Sequence, residues 1–243
     1  MKAIMNTNLW EAKTDSTLKK FIITTFWHKI LQIPNLIAAY VGGSRYYGYE
    51  YLDINSDYDI FILTNGAEYT CPYRFLKINN KQLHWTIQHI SNFINDTNIE
   101  NKDYRTGALY AGQVKFNHFD RNLFLYESPK YASVINKLIA YRDQIQLLNF
   151  YKYVQLIAQN PMQQYRTCPK AFYHIFAAYL ELTGAGSKEW IREIKLNPPA
   201  ENTKILDFFQ TILDWCAAHP IDLIAMERNL YECFYDENNK LIL

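Results

Sequence analysis

At 243 residues, with 49% hydrophobic and 20% charged side chains, the chain is long enough for one large domain or two small ones, and apolar enough to bury a packed core. That composition argues against disorder over most of the chain. Its 25 Lys and Arg balance 24 Asp and Glu to a formal charge of +1, so no global field singles out nucleic acid as a partner and any basic face must be local. No uncharged run approaches the roughly 18 residues that a membrane-spanning helix needs, and with no secretory leader a cytoplasmic protein with no membrane partner is expected.

Leu18, Phe21, Ile22, Phe26 and Ile30 recur at helical spacing behind Asp15 and Ser16, which predicts an amphipathic helix ending before Pro34. Short apolar runs then predict strands at about Leu36 to Val41, Asp57 to Leu63, Tyr73 to Ile78 and Lys81 to Gln88. The last two pair across an Asn79-Asn80 turn. Ser91 reads as a cap for a helix through Phe93 and Ile94, and Asn122 to Tyr126 adds a final strand. From Ser128-Pro129 the pattern turns helical, with Val134, Ile135, Leu138 and Ile139 in period. Further helices are predicted at about 147–158, 169–182, 188–194, 204–217 and 220–233, with Phe172, Ile175, Phe176 and Tyr179 on one stripe and Gly184 as a stop. The expected division is residues 1–127 as an α/β domain and 128–243 as a helical domain.

Two segments carry chemistry. The strand ending at Val41 empties into Gly42-Gly43-Ser44-Arg45, where backbone can approach a ligand closely; a helix opening at Ser44 would turn unpaired N–H groups toward an anion such as phosphate. Asp57 and Asp59 stand two residues apart at the start of a strand, so period two sets both on one face. Carboxylates so placed repel unless a cation lies between them, and Mg²⁺, which binds through one or two protein carboxylates plus substrate phosphates, suits the pair. As ordinary structural residues, the glycines form a tight turn, Asp57 caps it and Asp59 is solvated. Their joint order and spacing are what that simpler account leaves unexplained.

The ordered set Gly43-Ser44-Arg45, Gly48 and Ser56-Asp57-Tyr58-Asp59 resembles the nucleotidyltransferase superfamily that includes DNA polymerase β, and within it the predicted bacterial and phage nucleotidyltransferases with a Gly-Ser-Arg…Ser-Asp-Tyr-Asp signature. The resemblance implies an α+β fold: a nucleotidyltransferase-like mixed β-sheet with flanking helices, followed by a C-terminal helical domain. It also implies an enzyme that uses Mg²⁺ or Mn²⁺ and a nucleoside triphosphate to transfer a nucleoside monophosphate to an acceptor hydroxyl, with RNA, protein or a small molecule as acceptor. Asp57 and Asp59 would then be catalytic and hold the metal, while Gly43, Ser44 and Arg45 bind the nucleotide.

Members of that superfamily carry a third carboxylate on a neighbouring strand. The matching segment here is Lys81 to Gln88, where Leu83, Trp85 and Ile87 are expected to face the core and Gln82, His84, Thr86 and Gln88 the other side. None is an acid. Thr86 aligns with the third acid by eye, with a shift of two residues as the alternative; Glu68, Glu100 and Asp103 are loop acids that could serve instead, and His84 could be a base or a weak ligand, although a lone His on a strand face is more often a hydrogen-bonded structural residue. The gap leaves open a second function, a nucleotide- or partner-binding module without chemistry. A third, RNA binding through the 20 Tyr and 14 Phe, calls for a basic groove that the charge balance does not advertise.

Two other patterns are structural. Thr183-Gly184-Ala185-Gly186-Ser187-Lys188 lacks the spacing of a phosphate loop and reads as a helix stop followed by a cap. Cys71, Cys168, Cys216 and Cys233 have neither zinc-site nor disulfide spacing and read as reduced thiols.

Overall fold

The computed structural model describes residues 27–42, 58–66, 74–78, 81–94, 124–167, 169–184 and 203–243. These fall into two compact units. One contains the described residues of 1–93 and 120–139 together with 242–243; the other contains those of 94–119 and 140–241. A mixed sheet and flanking helices come first and a run of helices follows, which is the expected α+β class.

In the first unit, helix α1 (Trp27–Ile30) is the end of the predicted amphipathic helix, whose remaining apolar positions lie outside the described residues. Ile30 is buried, and its carbonyl accepts the Ile33 N–H at 3.0 Å to turn the chain. Asn35, at φ 51°, sets the left-handed step that aims the chain into the sheet, a conformation Asn tolerates better than most residues. Strands β1 (Leu36–Gly42), β2 (Tyr58–Thr64), β3 (Arg74–Ile78), β4 (Lys81–His89) and β5 (Phe124–Glu127) form one sheet in the order β3-β4-β2-β1-β5. β1 pairs antiparallel with both β2 and β5, β4 antiparallel with β3, and β4 parallel with β2. The predicted β3–β4 hairpin is present, closing at Ile78 opposite Lys81; Asn79 and Asn80 themselves lie outside the described residues.

The sheet core differs from simple alternation. Successive residues Ile37, Ala38, Ala39 and Tyr40 are all buried, as are Ile62, Leu63 and Thr64, so both faces of the central strands are covered. The same cover reaches the end of β4. Gln88, expected on the open face, is 7% exposed, while Ile87 is half-buried. Helix α2 (Ile90–Ile94) follows directly, and His89 rather than the predicted Ser91 is its capping residue, because the His89 Nδ1 accepts the Ser91 N–H at 3.2 Å.

After β5, whose end is tied to β1 by the Ser128 N–H donating to the Ile37 carbonyl at 2.9 Å, a single 3₁₀ turn (Pro129–Tyr131) leads into α3 (Ala132–Ala140). Ser128 makes no side-chain cap, so Pro129 alone marks the helical start. The helical unit contains α4 (Arg142–Ala158), α5 (Pro161–Thr167), α6 (Pro169–Thr183), α7 (Thr203–Ala218) and α8 (Leu223–Phe234). Its core joins Phe150, Val154 and Ile157 of α4 to Phe172, Ile175 and Phe176 of α6 and Ile205, Phe209 and Ile212 of α7. α4 starts five residues before the predicted Leu147, where the buried polar Gln146 interrupts the apolar stripe. Gly184 stands at φ 65°, as a helix stop requires; the predicted 188–194 helix lies outside the described residues.

Candidate functional site

The chemistry proposed from sequence depends on where Asp59 stands, and backbone pairing fixes that position. Asp59 is the second residue of β2, with Gly42 of β1 opposite it on one side and His84 of β4 on the other. Phe75 of β3 is opposite His84 in turn. Gly42, Asp59, His84 and Phe75 therefore form one row across four strands, about 4.8 Å between neighbours, and positions opposite each other share a face of the sheet. Gly42 brings no side chain to that row.

Antiparallel pairing places the exit of β1 beside the entrance of β2. The chain thus runs into Gly43-Ser44-Arg45 directly from the residue next to Asp59, and Asp57 precedes the first residue of β2. Gly43, Ser44, Arg45 and Asp57 themselves lie outside the described residues, as do the loop acids Glu68, Glu100 and Asp103. What the fold supplies is the junction at Gly42 and Asp59 through which both sequence motifs connect to the sheet.

Thr86, aligned by eye with the third acid, is paired with Phe61. The residue in register with Asp59 is His84, two residues earlier. Periodicity alone shows that 84 and 86 share a face, but not which of them lies beside a given residue of another strand; only the parallel register decides that.

Away from the row the same face is solidly held. Tyr40 and Phe61, opposite each other one step along, stack with ring centroids 5.5 Å apart and planes inclined by 23°. One step further, Ala38, Leu63 and Gln88 are in register and buried. At the end of β2 the buried Thr64 hydroxyl donates to the Pro34 carbonyl at 2.8 Å and accepts the Gly66 N–H at 3.0 Å, locking β2 to the segment that enters β1. A Cβ at Gly66 would lie 3.2 Å from both that carbonyl and that hydroxyl, so the glycine keeps this end tight. The end carrying Asp59 is thus mounted on strands whose opposite end is fixed, which suits a site that must hold reacting groups in place.

The helical unit contains a separate polar cluster. Tyr151 of α4 donates its hydroxyl to the His219 carbonyl at the end of α7, and the His219 ring stacks on Trp215 at 4.6 Å. Burial, then the neighbouring Cys216, push the Tyr151 phenol up to about 12; burial pushes the Cys216 thiol up to about 11 despite the hydrogen bond from Tyr151. Both groups are therefore neutral at physiological pH, and Cys216 is not an activated nucleophile. Beside them an apolar cavity of about 290 Å³ is lined by residues including Val154, Leu213, Ile221 and Leu223. Lys152 and Glu227 form a 2.8 Å ion pair joining α4 to α8. Among the described residues no three His, Cys, Asp or Glu gather as a metal site, and no helix is long and apolar enough to cross a membrane.

No protein-family model matches the chain, and no curated protein matches it. Among solved structures it is similar to a nucleotidyltransferase-like protein from Exiguobacterium sibiricum 255-15, at 12% identity and a TM-score of 0.33, over 89% of this chain and 79% of that one. Motif order and strand register carry the functional reading.

Proposed function

We propose that the protein is a nucleotidyltransferase that uses a divalent cation and a nucleoside triphosphate to transfer a nucleoside monophosphate to an acceptor hydroxyl. The observation that carries this reading is the pairing of Gly42 with Asp59, which brings the lead-in of the glycine–serine turn and the start of the Asp-Tyr-Asp strand to one end of the central strands. The donor set suits the metal: carboxylate oxygens of Asp57 and Asp59, completed by phosphate oxygens, are hard ligands of the kind Mg²⁺ prefers. Gly43 and Ser44 bind the β- and γ-phosphates through backbone N–H groups and the hydroxyl, and Arg45 offsets their charge. When bound, the cation stabilises the charge that develops on the leaving pyrophosphate.

In the reaction the acceptor oxygen forms a bond to the α-phosphorus, the bond from that phosphorus to the β-bridging oxygen breaks, and the hydroxyl proton passes to a base or to water. The residues contribute in-line positioning more than covalent chemistry. Pyrophosphate release, measured over the four nucleoside triphosphates with RNA ends and protein hydroxyls as acceptors, tests the reading; release by wild type that disappears in Asp59→Asn supports it. A second reading, a nucleotide-binding module without chemistry, is favoured by one observation: the strand residue beside Asp59 is a histidine and not an acid. Metal-dependent nucleotide binding with no release across the whole panel would select it.

A further inference from the structure

The helical unit contains an apolar cavity of about 290 Å³ that the transfer reaction does not use. We propose that it is a binding site for a small neutral ligand, mostly apolar, of the size of a two-ring aromatic such as indole and carrying one hydrogen-bonding group. Such a site does not depend on the nucleotidyltransferase reading.

The walls come from α4, α7 and the link between α7 and α8. Val154 and Ala158 are spaced i, i+4 on α4, as are Leu213 and Ala217 on α7, so each pair lies on one side of its helix. Ile221 of the link and Leu223 at the start of α8 complete the lining, and the two alanines leave room that longer side chains would fill. The link is held at both ends. The His219 N–H donates to the Trp215 carbonyl at 3.0 Å, the His219 carbonyl accepts from Tyr151, and the Asp222 carboxylate caps α8 by accepting the Ala225 N–H at 2.9 Å. The cavity is therefore preformed, which lowers the cost of filling it.

The lining selects against charge. Among the described residues no Lys, Arg, Asp or Glu lines the cavity, and its two ionisable groups are neutral at pH 7, because burial raises the Tyr151 phenol to about 12 and the Cys216 thiol to about 11. Tyr151 commits its hydroxyl proton to the His219 carbonyl. Gln155, exposed on the same wall as Tyr151, makes no hydrogen bond among the described residues, so its amide is the group left to pair with a polar atom of the ligand. Size sets the rest: an apolar cavity of about 150 Å³ admits benzene, and one nearly twice as large has room for a second ring.

The test is indole binding to the full chain, with indole-3-carboxylate as the charged counterpart. In calorimetry wild type should bind indole saturably with a Kd below about 1 mM. It should bind the carboxylate at least roughly tenfold more weakly, since the site offers that charge no partner. Ala158→Leu and Ala217→Leu each put a side chain into the cavity from one wall while keeping a good helix former, so each should weaken indole at least roughly tenfold with an unchanged or raised melting temperature. Cys216 reports the location without any substitution. Bound indole should slow its alkylation by N-ethylmaleimide, followed by mass spectrometry, and leave unchanged that of Cys233, which is half-buried too but does not line the cavity. No saturable indole binding, or equal binding of the carboxylate, would overturn the proposal. So would unslowed alkylation of Cys216, or wild-type affinity in both folded leucine variants, because indole would then sit elsewhere. If a leucine variant fails to fold, the alkylation rates decide.

Discussion

Tyr151→Phe separates a hydrogen bond from the packing around it, because the ring survives while the hydroxyl does not. Tyr151 is 6% exposed, its ring meets Phe150 and Trp215 at centroid distances of 5.8 and 6.1 Å, and its hydroxyl donates to the His219 carbonyl. The variant keeps the ring contacts, and the exposed His219 carbonyl takes a water, so the expected loss at pH 7 is that of one neutral hydrogen bond, about 1 kcal/mol. The alkaline limb adds a second readout. Folding raises the phenol from 10.0 to about 12, so its contribution to stability is fully present below 10 and is lost as pH rises toward 12. Two units set an upper bound of about 2.7 kcal/mol; because burial of the phenol is the main cause and its hydroxyl reaches the exposed residue His219, solvent access cuts this to roughly 1 kcal/mol. Phenylalanine has no such proton to lose. Urea midpoints followed by far-ultraviolet circular dichroism should show the variant about 1 kcal/mol less stable at pH 7, with the gap closing between pH 10 and 12. A variant equal to wild type at pH 7, or a gap constant into alkali, would refute the reasoning.

Phe172 is fully buried and makes edge contacts with Tyr165, Phe176 and Phe209, so Phe172→Ala should cost roughly 3–5 kcal/mol in urea unfolding; a loss under about 1 kcal/mol would mean that the helical core is not packed there. Ser44→Ala should weaken triphosphate binding by roughly 1.5–3 kcal/mol, the worth of one hydrogen bond to a charged group. Gly43→Val should abolish that binding without changing the melting temperature, as measured by calorimetry on the folded variant; normal binding would place the phosphate elsewhere.

The strands and most helices were legible because their apolar residues announce them. Leu36 to Gly42 and Tyr58 to Thr64 are nearly continuous apolar runs, and the stripe Phe172, Ile175, Phe176 and Tyr179 is buried as its spacing requires. What periodicity could not give was any property set by a neighbouring strand or by a buried polar group. Gln88 is interior because both sheet faces are covered at that end, and the buried Gln146 disguised the start of α4. α5, with Met162 and Tyr165 as its larger apolar side chains, carries too weak a pattern to be recognised. The parallel register that sets His84, and not Thr86, beside Asp59 is a tertiary fact with no local signal. The site motifs themselves were visible only as an ordered set, since a glycine turn or an Asp-Tyr-Asp alone is common.

Isothermal titration calorimetry of a nucleoside triphosphate, with and without Mg²⁺ or Mn²⁺, against wild type and the double variant Asp57→Asn with Asp59→Asn, tests the central claim most directly. Wild type should bind at least one nucleoside triphosphate much more tightly with metal than without, and the folded double variant should lose the metal-dependent part of that affinity. Undiminished metal-dependent binding in the double variant, or no metal dependence in wild type for any of the four nucleotides, would contradict it.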